Sequence, residues 1–300
     1  MIPSRDAGTE HRDTVAALFA RHSVRRYSSE PVEPGRLDLI RDFAAGVRPL
    51  VPASRFTCAI RAINKPSERL ASALGSFTAI VSARHFLGAR LAGSAHVLAD
   101  FGFRVEQVVI ELTRLGLGSC WVGTLRHEAA ARALVGAGPD ERMPAIVMFG
   151  RPAHGTAGRL VNRAIRAAVG ARRRLDFAKF AFRDRFGVPL DPDADLGFIL
   201  DCLRHAPSAG NARPWRVVVR GAELLICADE NAGYYRVAGL AKWGYPLLDA
   251  GIGMAHVSIA LAALGRPADW RWLDDTPGLR DELGLPASVR PVAGIALETS

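Results

Sequence analysis

Ala206-Pro-Ser-Ala-Gly-Asn-Ala-Arg-Pro-Trp215 reads as a helix stop, a tight polar loop and the start of a strand. Pro207 disfavours helix at the residue before it and so ends the apolar helical segment 196–205. Gly210 permits tight backbone geometry, and Ser208 and Asn211 present short polar groups, as a loop meeting a ligand would. Read as structure alone, the same residues make a helix-to-strand turn in which Asn211 serves the backbone. From Trp215 the chain turns β-rich, over Trp215–Val219 and then Leu224–Ala228. The fold is decided by the fact that this order of helix, polar loop and strand has an echo 159 residues earlier.

At that offset Arg26-Tyr27 meets Arg185-Phe186, Leu37 meets Leu196, Ile40 meets Ile199 and Arg55-Phe56 meets Pro214-Trp215. At an offset of 149, Asp100 meets Asp249, Val108 meets Val257, Leu112 meets Leu261, Leu115-Gly116 meets Leu264-Gly265 and Trp121 meets Trp270; at 147, Pro144 meets Pro291. Sparse identities that hold register across a whole unit are the mark of an internal repeat. The drift of about ten residues fits a shortened loop in the second copy.

Each copy reads as a helix (37–46 and 196–205), a β-rich run (Phe56–Ala62 and Trp215–Val219), a long helix (96–115 and 245–264) and a closing apolar strand (Ala145–Gly150 and Val292–Leu297). The long helices are lined by small and aliphatic residues on nearly every side, so they are expected to be buried, most naturally between the two copies. Mixed helices and strands in each copy give an α+β fold of two tandem units, 12–155 and 186–300, joined by a basic connector over 156–185.

The 300 residues, 49% hydrophobic and 23% charged, suffice for a sizeable core. The net charge of +9 comes almost wholly from arginine, since lysine occurs only at 65, 179 and 242. The densest basic run, Arg159–Arg185, either attracts phosphates or is a solvated face. Cys58, Cys120, Cys202 and Cys227 are scattered without metal-ligand spacing, which fits a reducing cytoplasm. The eight histidines form no ligand spacing either. No apolar leader opens the chain, and Pro246–Gly265 is broken by Asp249, His256 and glycines. A soluble, cytoplasmic protein without membrane or nucleic-acid partner is expected.

Three further stretches carry chemistry. In Arg21-His-Ser-Val-Arg25, an extended backbone puts positions i, i+2 and i+4 on one face, so two guanidinium groups and a hydroxyl can converge on one phosphate. Leu115-Gly-Leu-Gly-Ser-Cys-Trp-Val-Gly123 is rich in the glycine that close main-chain approach needs. Cys120 within it reads as a structural thiol rather than a redox group. Met148-Phe-Gly-Arg-Pro152 ends a strand and precedes Arg172-Arg-Arg-Leu-Asp176.

Together these stretches resemble the FMN-dependent nitroreductases, whose patterns run R-x-S-x-R-x-[FY]-x-x-x-P-V, A-P-S-x-x-N-x-Q-P-W and G-L-G-[ST]-x-W-[IV]-G. The resemblance covers about the whole chain and looks most like the fused nitroreductase-like proteins of thermophile and actinobacterial genomes. In the family, two identical subunits share each flavin site. The resemblance implies that Arg21, His22, Ser23 and Arg25 hold the FMN phosphate, helped by Arg172 or Arg173. Trp121, Val122 and Gly123 run beside the flavin ring, and Pro207, Ser208, Asn211 and Arg213 complete the site, with Arg213 replacing the family's Gln.

Opposite Pro207, Ser208 and Asn211 the first copy has Arg48, Pro49 and Pro52; opposite Arg21, Ser23 and Arg25 the second has Phe180, Phe182 and Asp184. The losses are complementary, so one FMN per chain and a monomeric pseudo-dimer are expected. The implied activity passes hydride from NADH or NADPH through flavin N5 to a small-molecule acceptor, without a catalytic side chain or metal. The alternative is a flavin-sequestering protein with little turnover.

Overall fold

The helix stop and strand start read around Pro207 and Trp215 recur in the computed structural model, where a helix ends at Arg204 and a strand begins at Trp215; the structure describes residues 7–63, 71–73, 75, 81, 83–153 and 174–297. The chain divides into two compact units: Ala20–Arg172, and a discontinuous one of Met1–Phe19 with Arg173–Ser300. The first helix, α1 (Ala7–Ala20), therefore belongs with the later residues, where Phe19 meets the His205 ring edge-on at 4.8 Å.

In the unit Ala20–Arg172, α2 (Pro34–Ala45) starts at a proline whose fixed φ suits a first helical turn. It leads to β1 (Arg55–Ala62) and β2 (His85–Ala92), then α3 (Val97–Arg114), β3 (Gly118–Gly123), α4 (Glu128–Val135) and β4 (Ala145–Gly150). The sheet has the order β1-β2-β4-β3 and is antiparallel throughout. Its central strands β2 and β4 are apolar and buried on both faces, whereas the edge strand β1 is largely exposed. Helix α3 packs on α2, β2 and β3.

The other unit adds β5 (Ala181–Arg183), α5 (Ala194–Arg204), β6 (Trp215–Arg220), β7 (Glu223–Asp229), α6 (Tyr234–Ala238), α7 (Tyr245–Ala263), β8 (Trp270–Trp272), α8 (Pro277–Leu283) and β9 (Val289–Ala296). Its sheet has the order β5-β6-β7-β9-β8, with β5 parallel to β6 and the rest antiparallel. Asp193 caps α5 by accepting from the Leu196 amide at 2.8 Å, and α7 packs on α5, β6 and β7.

The succession β6-β7-β9-β8 repeats β1-β2-β4-β3 strand for strand. A helix precedes the first strand of each set, the long helix separates the second and third, and a short helix the third and fourth. The repeat extends to a hydrogen bond. Asp100 on α3 accepts from the Leu50 amide at 2.9 Å, and Asp249 on α7 accepts from the Ala209 amide at 2.8 Å. In each unit a buried carboxylate on the long helix ties down the loop that feeds the first strand.

The structure corrects three readings. Residues 156–185 are not only a connector: residues 154–173 lie outside the described residues, but 181–183 form β5 of the five-stranded sheet. Phe180, Phe182 and Asp184 are not the structural counterparts of Arg21, Ser23 and Arg25. The earlier segment borders β3, through Ser23 and Ser119, while β5 borders β6, the strand equivalent to β1. The sequence pairing of Phe180, Phe182 and Asp184 with Arg21, Ser23 and Arg25 therefore does not count towards the loss of a second site. Nor is α3 apolar all round: it buries Asp100, Arg104, Glu106 and Glu111, each with a charged or polar partner. Helix α7 is long and apolar enough to cross a membrane by length and composition, but most of it is buried within the protein, together with Asp249 and His256.

Candidate flavin-phosphate site

The segment Arg21–Tyr27 is extended and laid along the edge of the four-stranded sheet. Val24 donates its amide to Ser119 O at 2.8 Å, and Ser28 donates to Arg151 O at 2.9 Å. Val24 enters the core over Gly118, where any Cβ would come within 2.7 Å of the valine side chain. The Tyr27 hydroxyl donates to Val24 O and lies 3.1 Å from Met148 O, while its ring covers Gly150. Glycine at 118 and 150 thus provides the space that lets this segment lie flat. Val24 is turned inward, Arg21 is buried, and Ser23 and Arg25 are half-buried.

Arg21 is only 8% exposed, and its Nε, 3.9 Å from Glu106 Oε1, has no hydrogen-bond partner. Glu106, fully buried on α3, receives the Trp121 indole N–H at 2.8 Å on its other oxygen. Burial lowers the Arg21 pKa, opposed by Glu106 and then Cys120, yet a guanidinium stays charged in any accessible pH range. A buried charged donor left without an acceptor costs a few kcal/mol, so this site is built to receive one. A phosphate oxygen meets that need, and the residues fit FMN on this count.

Both Arg21 and Arg25 act on Cys120, but burial outweighs them and pushes its pKa up. Cys120 is therefore a protonated core thiol, as the sequence reading held. His22 is exposed, its Nδ1 3.0 Å from Ala20 O. The Trp121 side chain serves Glu106, and that of Val122 lies in the core. Gly123 closes β3, so Val122 and Gly123 offer main chain only. Arg172 and Arg173 lie outside the described residues.

The loop Ala206–Trp215 lies in the five-stranded unit. Gly210, Asn211 and Arg213 have φ of 58°, 57° and 53°, a left-handed conformation tolerated by Gly and Asn but costly for Arg. Ser208 Oγ accepts the Arg213 amide at 2.9 Å, and Arg213 folds back to donate Nε to Asn211 O at 3.2 Å. A Cβ on Gly210 would overlap the Tyr234 ring. Trp215 donates its indole N–H to Asp249 O at 2.8 Å, in space left by Gly253.

Residues that sequence reasoning missed are those holding this loop from behind. Asp249 Oδ2 receives both the Ala209 amide and the Tyr235 hydroxyl. Burial first, and then Asp249, raise the Tyr235 pKa far above its ordinary value, so it remains a donor. The identity of Asp100 and Asp249 in the self-alignment marked the position, but two aspartates within apolar helices do not say which amide they hold. Likewise Glu106 gives no sign in sequence that it faces Arg21.

The family model described as “Putative TM nitroreductase” matches residues 13–261. Among solved structures, the chain is similar to a “putative nitroreductase” from Thermotoga maritima, with 20% identity, TM-score 0.57, and coverage of 99% of this chain and 98% of that one. At that identity the likeness establishes the fold. Nitroreductase A from Vibrio parahaemolyticus is 18% identical at TM-score 0.41, covering 47% of this chain and 68% of its own. An FMN-dependent nitroreductase from Clostridium difficile is 18% identical at TM-score 0.39, covering 46% and 86%. No curated protein matches the chain.

Proposed function

We infer the function from one premise: the chain belongs to the nitroreductase family whose model it matches over residues 13–261. We propose that it is an FMN-dependent NAD(P)H oxidoreductase that binds one FMN per chain. The observation that carries the reading is Arg21, a buried guanidinium with an unused Nε–H on a segment that also presents Ser23 and Arg25.

In this proposal Arg21, Ser23 and Arg25 hold the phosphate through charge-assisted hydrogen bonds. Glu106 holds Arg21 in place by a pair too long to saturate it. Ser208 and Asn211 are assigned to flavin binding as well, on a loop of the five-stranded unit whose shape is set by Ser208, Asp249 and Tyr235. Bound FMN would supply hydride transfer between a nicotinamide and a small acceptor such as a nitroaromatic or quinone; the protein supplies binding, orientation and electrostatics. Neutral Cys120 keeps a competing negative charge away from the phosphate clamp. Two tandem units derived from one ancestral subunit, the pseudo-dimer reading, are supported by the repeated strand order and by the matched Asp100 and Asp249 hydrogen bonds.

The test is flavin content. Arg21→Ala with Arg25→Ala should yield folded protein that has lost FMN binding by at least about a hundredfold, since two charge-assisted contacts of roughly 1.5–3 kcal/mol each are removed. Full flavin retention in the double variant would remove the assignment. An FMN-loaded protein that neither NADH nor NADPH reduces under argon would instead favour flavin sequestration.

A further inference from the structure

Where the chain leaves the phosphate segment, the four-stranded unit has a cavity of about 200 Å³ at the end of the β1–β2 pair, lined by Ser29, Pro31, Ala62, Ile63, Arg84 and His85. Two features set it apart from a packing gap. His85 is only 4% exposed, stacked on Phe149 with ring centroids 5.4 Å apart, and its Nδ1 has no hydrogen-bond partner. Arg84 donates Nε to Ser29 O at 2.8 Å and pairs with no carboxylate among the described residues. Burial, then the neighbouring Arg84 charge, lower the His85 pKa and favour the neutral imidazole, whose Nδ1 can donate in its Nδ1–H tautomer without adding charge. A buried polar atom without a partner, beside a cation that meets no carboxylate among the described residues, is the arrangement a small anion completes. The apolar Pro31, Ala62 and Ile63 complement the body rather than the charge of such a ligand.

We propose that this cavity is a binding site for a small organic carboxylate, its anionic oxygens taken by the Arg84 guanidinium and His85 Nδ1–H and its apolar part lying against Pro31, Ala62 and Ile63. The site is independent of the flavin assignment. Benzoate is the probe. Calorimetric titration of the full chain is expected to give a dissociation constant on the order of 1 mM, as befits a fragment-sized ligand. Arg84→Gln should weaken binding by about tenfold or more, as should replacement of benzoate by neutral benzamide. Equal affinity for benzoate and benzamide, or undiminished affinity in Arg84→Gln, would overturn the proposal. In the unmutated protein, the His85 Nδ1 resonance in nitrogen-15 spectra should shift on titration with benzoate, and a stationary His85 signal would overturn it equally.

Discussion

Single residues set both the space and the charge of the candidate site. Gly118 is the clearest case, because it has no unusual φ to explain it and is needed only for room: a Cβ there meets three atoms of Val24 within 3.0 Å. Gly118→Ala is expected to destabilise the protein by about 1–3 kcal/mol through overpacking. Adding Val24→Ala should return part of that loss, a coupling that a double-mutant cycle in urea reads directly. Non-coupling would mean that Val24 does not rest on Gly118. A second residue-scale effect concerns pH. Burial is the leading cause that lowers the His85 and His205 pKa values in the fold, while in the unfolded chain each returns to about 6.5. Below that value the unfolded state binds more protons than the folded one, so their contribution to stability is present above about pH 6.5 and lost as pH falls. Urea midpoints should decline from pH 7.5 to pH 5, and His85→Gln should flatten the decline; an unchanged slope in that variant would contradict the assignment.

At the scale of elements, the long helices anchor the loops as well as filling the core. Asp100 holds Leu50 N, Ser54 Oγ and Arg104 at once, all within the fold. Asp100→Ala strands a buried guanidinium and an amide, and should cost about 3–5 kcal/mol by chemical denaturation. Asp249→Ala strands the Ala209 amide and the Tyr235 hydroxyl, and should cost less, about 1–3 kcal/mol. A reversed order would show that the stranded Arg104 guanidinium does not set the cost at Asp100. Helix α7 was legible because its apolar run is long, and β4 and the Val292–Ala296 part of β9 because theirs are unbroken. Helix α4, and the short strands β5 and β8, escaped the sequence reading for a different reason. Three residues such as Ala181–Arg183 or Trp270–Trp272 have too little periodicity to announce a strand, and they acquire one from the neighbour that pairs with them. The internal buried charges of α3 were hidden likewise, since only the fold shows which partner neutralises each one.

For the whole molecule, the question is how many flavins one chain holds. The offsets of 159 and 149 were legible as identities, and the sheet orders β1-β2-β4-β3 and β6-β7-β9-β8 are compatible with them. What the alignment misjudged was the segment Phe180–Asp184: sequence register alone cannot reveal that a stretch has changed the edge it borders. The single-site proposal therefore rests on the other half of the comparison. Where the five-stranded unit has Pro207, Ser208 and Asn211 on a left-handed loop, the four-stranded unit has Arg48, Pro49 and Pro52. Pro49 and Pro52 lack amide hydrogens, and neither carries a polar group to replace Ser208 or Asn211. Meanwhile the described residues of the five-stranded unit hold no second Arg-x-Ser-x-Arg segment. Among the described residues such parts supply one set of the proposed contacts, which favours the single-site proposal. Purified chain reconstituted with excess FMN and desalted should carry one flavin, by absorbance against amino-acid analysis, and Arg21→Ala with Arg25→Ala should bring that ratio towards zero in one step. A ratio of two, falling to one in the double variant, would show that the five-stranded unit has kept a phosphate clamp of its own and would end the single-site reading while leaving the Arg21 assignment standing.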